Sequence, residues 1–313
     1  MHVTHRTAKA LLRQVNDDVA SLPDAPLRAL LGPMAAAERE LAADLEGLVG
    51  QMGQRYTAQA LRNSLLQVRS SLNAVQRLRP EMRDELAKAG RRGRLLSTQS
   101  LQTQVAKFAM HFDKTLRPVP LIPATKIAER LHLERFATSA ARYTAAVQAD
   151  IRRQLTIGLL RGESVGQMAA RLTGTGRKGA ARVMALPPGR QAENVSHAMW
   201  ERYRYQARRL VRTEVMKAYN EVTQDQIEQL AREDGPGWGK KWVAELDSRV
   251  CPYCRALDGV VVPADANFPN TTPGAPPDHP QCRCTVVAWH ERWNAAADRP
   301  RGVRLGGPPE QEP

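Results

Sequence analysis

The 313-residue chain has few aromatic residues, few cysteines and no long apolar run. Aromatic residues make up 5% of the sequence, the cysteines number four, and the mean hydropathy is −0.47. A membrane-spanning helix needs about 20 successive apolar residues, and the longest candidates, such as residues 29–34, fall far short. The N-terminal residues also lack the apolar segment of a secretory signal. We therefore expect no membrane span and a chain that folds in a cytosol.

Acidic residues are outnumbered by basic ones, with 32 Asp and Glu against 46 Lys and Arg, for a net charge of +14. Basic side chains bind polyanions because they release counterions from phosphates, although an arginine-rich composition also follows from a GC-rich genome. The excess is concentrated between Arg177 and Arg212, a segment that contains nine basic residues and two acidic ones. Within it we predict a nucleic-acid contact, with helix packing as the alternative, at Arg202, Arg204, Arg208 and Arg209.

Apolar residues recur every three or four positions through most of the chain, which predicts helices. Pro80 is expected to end one of them unless a new helix starts there, and three prolines predict a linker at residues 116–124. Ser164 and Gln167 form a capping box, which predicts a helix start. A long helix is predicted from about residue 198 to residue 232, where helical spacing continues without Gly or Pro.

The helical spacing of the apolar residues ends at residue 237. Three short β-branched or aromatic segments, at residues 241–246, 259–262 and 285–289, predict strands. The predicted organisation is a helical N-terminal extension at residues 1–115, the Pro-rich linker at 116–124, a helical region at 125–235, a Cys/His-containing β module at 236–293 and a disordered tail at 294–313.

All four cysteines lie in this β module, as Cys251 with Cys254 and Cys282 with Cys284, and His279 is close in sequence. Thiolates three residues apart can share a tetrahedral ion, and a second pair can complete its coordination. Five donors are available for four positions. We favour Cys251, Cys254, His279 and Cys284, with Cys282 as the closest substitute. The fold class is therefore mainly α, with an elongated helical N-terminal region and a small C-terminal α+β module stabilised by structural Zn²⁺.

Three other interpretations of the cysteines stay open. The Cys251–Cys254 spacing also suits a redox motif, although such a motif opens a long helix after an early strand, and here a short β-branched run follows. Disulfides are the stronger competitor in an oxidising environment. Zinc catalysis needs an open coordination position and a general base, for which Asp247, Asp258 and Asp278 are candidates, although such residues more often orient backbone or ligands.

A set of residues occurs in a fixed order over roughly residues 125–290: Gly158, Gly162, Ser164, Arg212-Thr213-Glu214, Asn220, Trp242, Asp247, Arg249, Cys251, Cys254, Gly259, Pro276-Pro277, His279-Pro280 and Cys282-Arg283-Cys284. This ordered set resembles the phage head morphogenesis family typified by the Mu F protein. Arg212, Glu214 and Asn220 match the polar helix signature of that family. With Asp247 they are expected to form a structural polar network, a catalytic Arg–Glu pair being the alternative.

The resemblance implies a minor head protein of a tailed phage or prophage that acts in head assembly or DNA delivery and is not an enzyme. Its expected partners are the portal protein, the major capsid or scaffolding protein and double-stranded DNA. It is expected to be made in the host bacterial cytoplasm and to reside in the virion, in the head interior or at the portal vertex. The N-terminal extension lies outside the resemblance. A metal-dependent DNA nuclease or DNA-processing protein is the second function considered, because basic helices adjoin the Cys/His cluster.

Overall fold

The computed structural model describes residues 17–19, 21–49, 52, 58–112, 126–245, 247–271 and 274–291. These residues are mainly helical. The helices are α1 (Asp24–Val49), α2 (Ala58–Gln67), α3 (Arg69–Phe112), α4 (Lys126–Leu160), α5 (Val165–Thr173), α6 (Gly176–Met184), α7 (Pro188–Asp234) and α8 (Pro252–Leu257), and the strands are β1 (Trp238–Val243), β2 (Val261–Pro263) and β3 (Thr285–His290). The predicted mainly α fold with a small C-terminal sheet is confirmed, whereas the elongation of the N-terminal region stays a prediction.

Two predicted segments, the linker at 116–124 and the tail at 294–313, lie outside the described residues. Among the described helices, none combines the length and the apolar character that a membrane span requires.

The expectation that Pro80 ends a helix is wrong, since Pro80 lies inside α3. A proline in a helix interior costs about 3 kcal/mol through a lost hydrogen bond and a steric clash. On the same helix Val75, Leu78 and Met82 are at most 2% exposed, and burying each such side chain contributes about 1.5–3 kcal/mol. The apolar face of α3 therefore outweighs the cost of the proline.

The predicted start of α5 is confirmed. The Gln167 backbone N–H donates to Ser164 Oγ at 3.2 Å, and the Ser164 backbone N–H donates to Gln167 Oε1 at 2.7 Å. Gly174 closes the helix in the left-handed region at φ 71°, which glycine adopts without steric cost. Two residues, Gly174 and Thr175, separate α5 from the next helix, α6.

The chain divides into two compact units. Among the described residues, the helical unit comprises those within 26–85 and 133–209, and the sheet-containing unit comprises those within 1–25, 86–132 and 210–313. In the helical unit the core contains fully buried side chains from four helices, such as Leu41, Val75, Val147 and Val195. The domain boundaries expected from the sequence stay a prediction.

The sheet-containing unit has a three-stranded antiparallel sheet in the order β2-β1-β3. The central strand β1 pairs Lys240 with Val262 of β2 and with Ala288 of β3. All six residues of β3 are buried. Trp238, Trp242 and Phe268 belong to the core over this sheet, together with the buried residues Cys254, Cys282 and Cys284. The cysteines therefore sit at the edge of a packed apolar core.

Candidate metal centre

The first cysteine pair is positioned by the short helix α8. Cys251 is the N-cap residue, and its Sγ accepts a hydrogen bond from the Cys254 backbone N–H at 3.2 Å. Pro252 occupies the first turn, where its missing N–H and fixed φ suit a helix start. This turn aims both sulphurs in the same direction, with Cys251 partly exposed and Cys254 buried.

The other donors lie on a tight loop that leads into β3. The Cys282 backbone N–H donates to the His279 carbonyl oxygen at 3.1 Å, and Gln281, between them, has a φ of 64°. The Gln281 backbone N–H donates to Thr213 Oγ1 of α7 at 3.2 Å. The loop is thus fixed to the helix at the position that precedes Cys282.

The five predicted donors come together as two groups of three that share Cys254. One group contains Cys251, Cys254 and His279, and the other contains Cys254, Cys282 and Cys284; within each group the donor atoms lie within 4.8 Å of one another. His279 Nε2 is 3.4 Å from Cys251 Sγ and 3.2 Å from Cys254 Sγ, and the sulphurs of Cys254 and Cys282 are 3.8 Å apart.

These separations suit one tetrahedral ion. With Zn–S near 2.3 Å and Zn–N near 2.0–2.1 Å, tetrahedral geometry places two sulphurs about 3.8 Å apart and a sulphur and a nitrogen about 3.5 Å apart. The separations of His279 Nε2 from the two sulphurs, and of the Cys254 and Cys282 sulphurs from each other, lie close to these values. Cysteine-rich donor sets with one histidine are typical of structural zinc. These two groups can therefore hold a metal ion.

The ionisation of the thiols differs within the cluster. The Cys284 side chain hydrogen-bonds to Cys282 and lowers the pKa of Cys282 to about 6. The same hydrogen bond, with burial, raises the pKa of Cys284. Burial also raises the pKa of Cys254. Partial burial opposes ionisation of Cys251, but the Cys254 backbone N–H and nearby His279 outweigh it, so the pKa of Cys251 is lowered. The pKa values of Cys251 and Cys282 are thus both shifted toward the thiolate form, which is the form that ligates metal.

Asn220 of α7 anchors the strand that follows the loop. Its side chain is 1% exposed. Its Nδ2 donates to the carbonyl oxygens of Met216 at 3.0 Å and Cys284 at 3.2 Å, and its Oδ1 accepts from the Val286 backbone N–H at 2.9 Å. One amide therefore satisfies a backbone donor of β3 and the backbone acceptor of the residue that precedes it.

Asp247 holds the segment between β1 and the first cysteine pair. Both of its oxygens accept from the Arg283 guanidinium, at 2.5 and 2.8 Å, and Glu245 accepts from the same guanidinium at 2.5 Å. The Arg283 contact holds the pKa of Asp247 well below its usual range. Arg283 lies between Cys282 and Cys284, so this bidentate pair ties the two cysteine-bearing segments together.

The four residues expected to form one polar network occupy different surroundings. Asn220 bonds to β3 and Asp247 bonds to Arg283, in separate sets of hydrogen bonds. Arg212 is half-buried, and burial together with the nearby Arg283 charge lowers its pKa. Glu214 is partly exposed on the same helix. A single network that includes all four stays a prediction.

The other candidate catalytic carboxylates have structural contacts. Asp258 Oδ1 accepts from the Ala244 backbone N–H at 2.9 Å, and the Asp278 backbone N–H donates to Cys282. Neither these nor any other described Asp or Glu belongs to the donor groups that could hold a metal ion.

Of the four arginines predicted to contact nucleic acid, three are exposed on α7: Arg202, Arg208 and Arg209. The Arg209 guanidinium lies 5.8 Å from the ring centre of Tyr205, which is 53% exposed. The side chain of Arg204 is only 16% exposed and forms ion pairs with Glu38 and Glu201. Their role in binding nucleic acid stays a prediction.

Two features of the site were missed by the sequence reasoning. The first is the Arg283–Asp247 pair, whose partners are 36 positions apart. The second is Lys240, which is fully buried on β1 with its Nζ 5.9 Å from the Phe268 ring centre and without a hydrogen-bond partner among the described residues. Burial lowers the pKa of Lys240. The sequence pattern of β1 does not show that Lys240 is buried, because the adjacent residue Lys241 is also a lysine and is partly exposed.

A comparison with protein families connects this geometry to a known group. Residues 149–287 match the family described as Phage Mu protein F like protein. The chain contains a Mu F-like region. It begins within α4, includes α7 and all five metal-donor candidates, and ends in β3. The predicted resemblance to the Mu F-like family is confirmed over these residues. No curated protein and no solved structure matches the chain significantly.

Proposed function

We propose that this chain is a minor head protein of a tailed bacteriophage or prophage. The observation that carries the proposal is the match of residues 149–287 to the Mu F-like family. In the proposed role, the protein contacts the portal protein and the major capsid or scaffolding protein, and it acts in head assembly or DNA delivery. It resides in the virion and has no enzymatic activity.

The proposed cofactor is one structural zinc ion. Cys251, Cys254 and His279 supply three ligands, and Cys284 or Cys282 supplies the fourth. Cys254 belongs to both donor groups, so it is a ligand in either arrangement. The ion would join α8 to the loop before β3, in a module whose core is small. Binding energy of this kind is folding energy, which gives the metal a structural role.

A nuclease is supported less well by the same residues. Hydrolytic zinc sites keep one position open and place a general base beside it. In the described part of the chain, the metal-capable groups are made of cysteine and histidine alone, and Asp258 is held by backbone hydrogen bonding. A purified protein that cleaves DNA with added magnesium or manganese would reverse this preference.

Particle composition tests the proposed function. Phage particles purified from a producing lysogen should contain this chain at a low copy number, measured by quantitative mass spectrometry against the major capsid protein. Deletion of its gene should yield defective heads or particles that fail to deliver DNA. Absence of the chain from purified particles, together with normal particles from the deletion strain, would refute the role.

Metal content tests the cofactor separately. Elemental analysis of the purified full-length protein should give one zinc per chain, and chelation should unfold the sheet-containing unit. If the protein contains no zinc and thiol titration finds no free thiol among the four cysteines, the cysteines form disulfides instead.

A further inference from the structure

Helix α6 presents a basic surface that its own surroundings do not neutralise. Residues 164–192 contain five basic residues and no acidic residue. Two of the five are paired, Arg171 with Glu163 and Arg190 with Glu193. The other three, Arg177, Lys178 and Arg182, are exposed and form no ion pair within the described ranges. We call these three residues the α6 basic surface.

Only one side of α6 is covered, and α5 covers it. The Gly166 backbone N–H donates to Met184 Sδ at 3.3 Å, and a Cβ added at Gly166 would lie 2.4 Å from the Ala180 carbonyl oxygen. Close approach of the two helices at Gly166 therefore fixes α6 in place. None of the nine residues of α6 is buried, so the rest of the helix faces outward.

The charges on α6 repel one another. Lys178 and Arg182 are four residues apart, which places them on the same side of the helix, about 6 Å apart along its axis. A like-charge pair at this spacing destabilises a helix by a few tenths of a kcal/mol. Arg177 adds a third positive charge. No acidic side chain of the described residues offsets this repulsion by forming an ion pair with these three cations. Unfavourable local features of this kind are expected at functional sites, where a binding partner can offset them.

We propose that the α6 basic surface binds the phosphate backbone of duplex DNA. The inference rests on the proposed function for the identity of that DNA as the packaged genome. Phosphate contacts require exposed cations and no apolar anchor, whereas a protein interface has an apolar core. The large exposed apolar side chain of α6 is Met184, and its sulphur is engaged by Gly166. The surface also differs from the predicted α7 arginines, since Arg204 is already paired with Glu38.

Charge neutralisation with a matched control tests the proposal. Binding of the purified full-length protein to a 30-base-pair duplex is measured by fluorescence anisotropy between about 50 and 200 mM salt. One variant carries Arg177→Gln, Lys178→Gln and Arg182→Gln. The control removes three arginines of the same unit that are exposed and likewise form no ion pair within the described ranges, with the substitutions Arg79→Gln, Arg142→Gln and Arg152→Gln.

The salt dependence gives the expected magnitude. Each phosphate contact contributes about 0.9 to the slope of log affinity against log salt. Loss of three contacts should reduce the slope by about 2.7, so the fall in affinity over this fourfold salt range becomes about 40-fold smaller. The control should keep the wild-type slope. A further variant with Arg177→Lys and Arg182→Lys preserves the charge and should also keep it.

Three results would overturn the proposal. The first is equal slopes for the two triple variants, and the second is no duplex binding by the wild-type protein. The third comes from the same anisotropy assay run with labelled poly-glutamate: if the Arg177, Lys178 and Arg182 triple variant loses binding to that polymer but keeps duplex binding, the surface is assigned to an acidic protein. Circular dichroism of each variant checks that the overall helix content is kept, and the charge-preserving variant separates the loss of positive charge from the loss of the native side chains. Particle composition does not enter this assay, so the proposed function can fail independently.

Discussion

Replacement of Asn220 by alanine should detach β3 from α7. The substitution removes the amide that donates to the Cys284 carbonyl oxygen and accepts from the Val286 backbone N–H. The two residues that lose this partner, Cys284 and Val286, are buried, and Asn220 itself is 1% exposed. Water cannot replace the lost partners without opening the strand.

The magnitude follows from the two backbone groups left behind. A buried polar group that loses its partner costs about 1–3 kcal/mol, so two such groups cost about 2–6 kcal/mol. Taking about 4 kcal/mol, the opening equilibrium of β3 should increase about a thousandfold.

Native-state hydrogen exchange at the Val286 amide measures this opening directly, and chelator competition measures the accompanying loss of zinc affinity. Asn194→Ala is the matched control, because Asn194 is exposed on the same helix and donates only to the Arg190 carbonyl oxygen at 2.8 Å. Equal exchange rates at Val286 in the two variants would refute the anchoring role of Asn220.

Three further substitutions test separate parts of the structure. Cys254→Ser should lower zinc affinity at least about 100-fold, since it removes a quarter of a binding energy of about 10–16 kcal/mol. Cys282→Ser should lower the affinity less. Equal losses of affinity in chelator competition would contradict the shared role of Cys254. Lys240→Met should raise the free energy of unfolding by about 1–3 kcal/mol in urea titrations. Because burial lowers the pKa of Lys240 from 10.5, the unfolded chain keeps this proton to higher pH, so wild-type stability should rise as the pH approaches 10.5 and the variant should lack that rise. Gly166→Ala, which brings a Cβ to 2.4 Å from the Ala180 carbonyl oxygen, should cost about 1–3 kcal/mol and speed amide exchange in α6; unchanged exchange would show that the two helices are not in close contact.

Local features of the fold were predictable from the sequence. The capping box at Ser164 depends on residues three positions apart, and the structure forms it as predicted. The β-branched segment near residue 285 likewise becomes β3. Pro80 misled the prediction because the proline rule was given more weight than the apolar periodicity that continues past it, and the buried face of α3 outweighs the cost of a proline.

The grouping of the metal donors and the ion pairs depend on contacts between residues far apart in the sequence. The sequence places five metal donors in one module, but their division into two groups around Cys254 depends on how the loop before β3 returns to α8. Arg204 was among the arginines predicted to contact nucleic acid, yet it pairs with Glu38, which is 166 positions away. Ion pairs of this kind depend on tertiary packing, so charge clustering along a sequence overestimates the number of available cations.

The attachment of the donor loop to α7 has a mechanical consequence. Thr213 holds the backbone at Gln281, and Asn220 holds it at Cys284 and Val286. These two helix residues are seven positions apart, about 10 Å along the axis. A loop attached at one point could pivot, but a loop attached at two points this far apart cannot. A helix that supplies no ligand thus limits the directions in which the sulphurs can move.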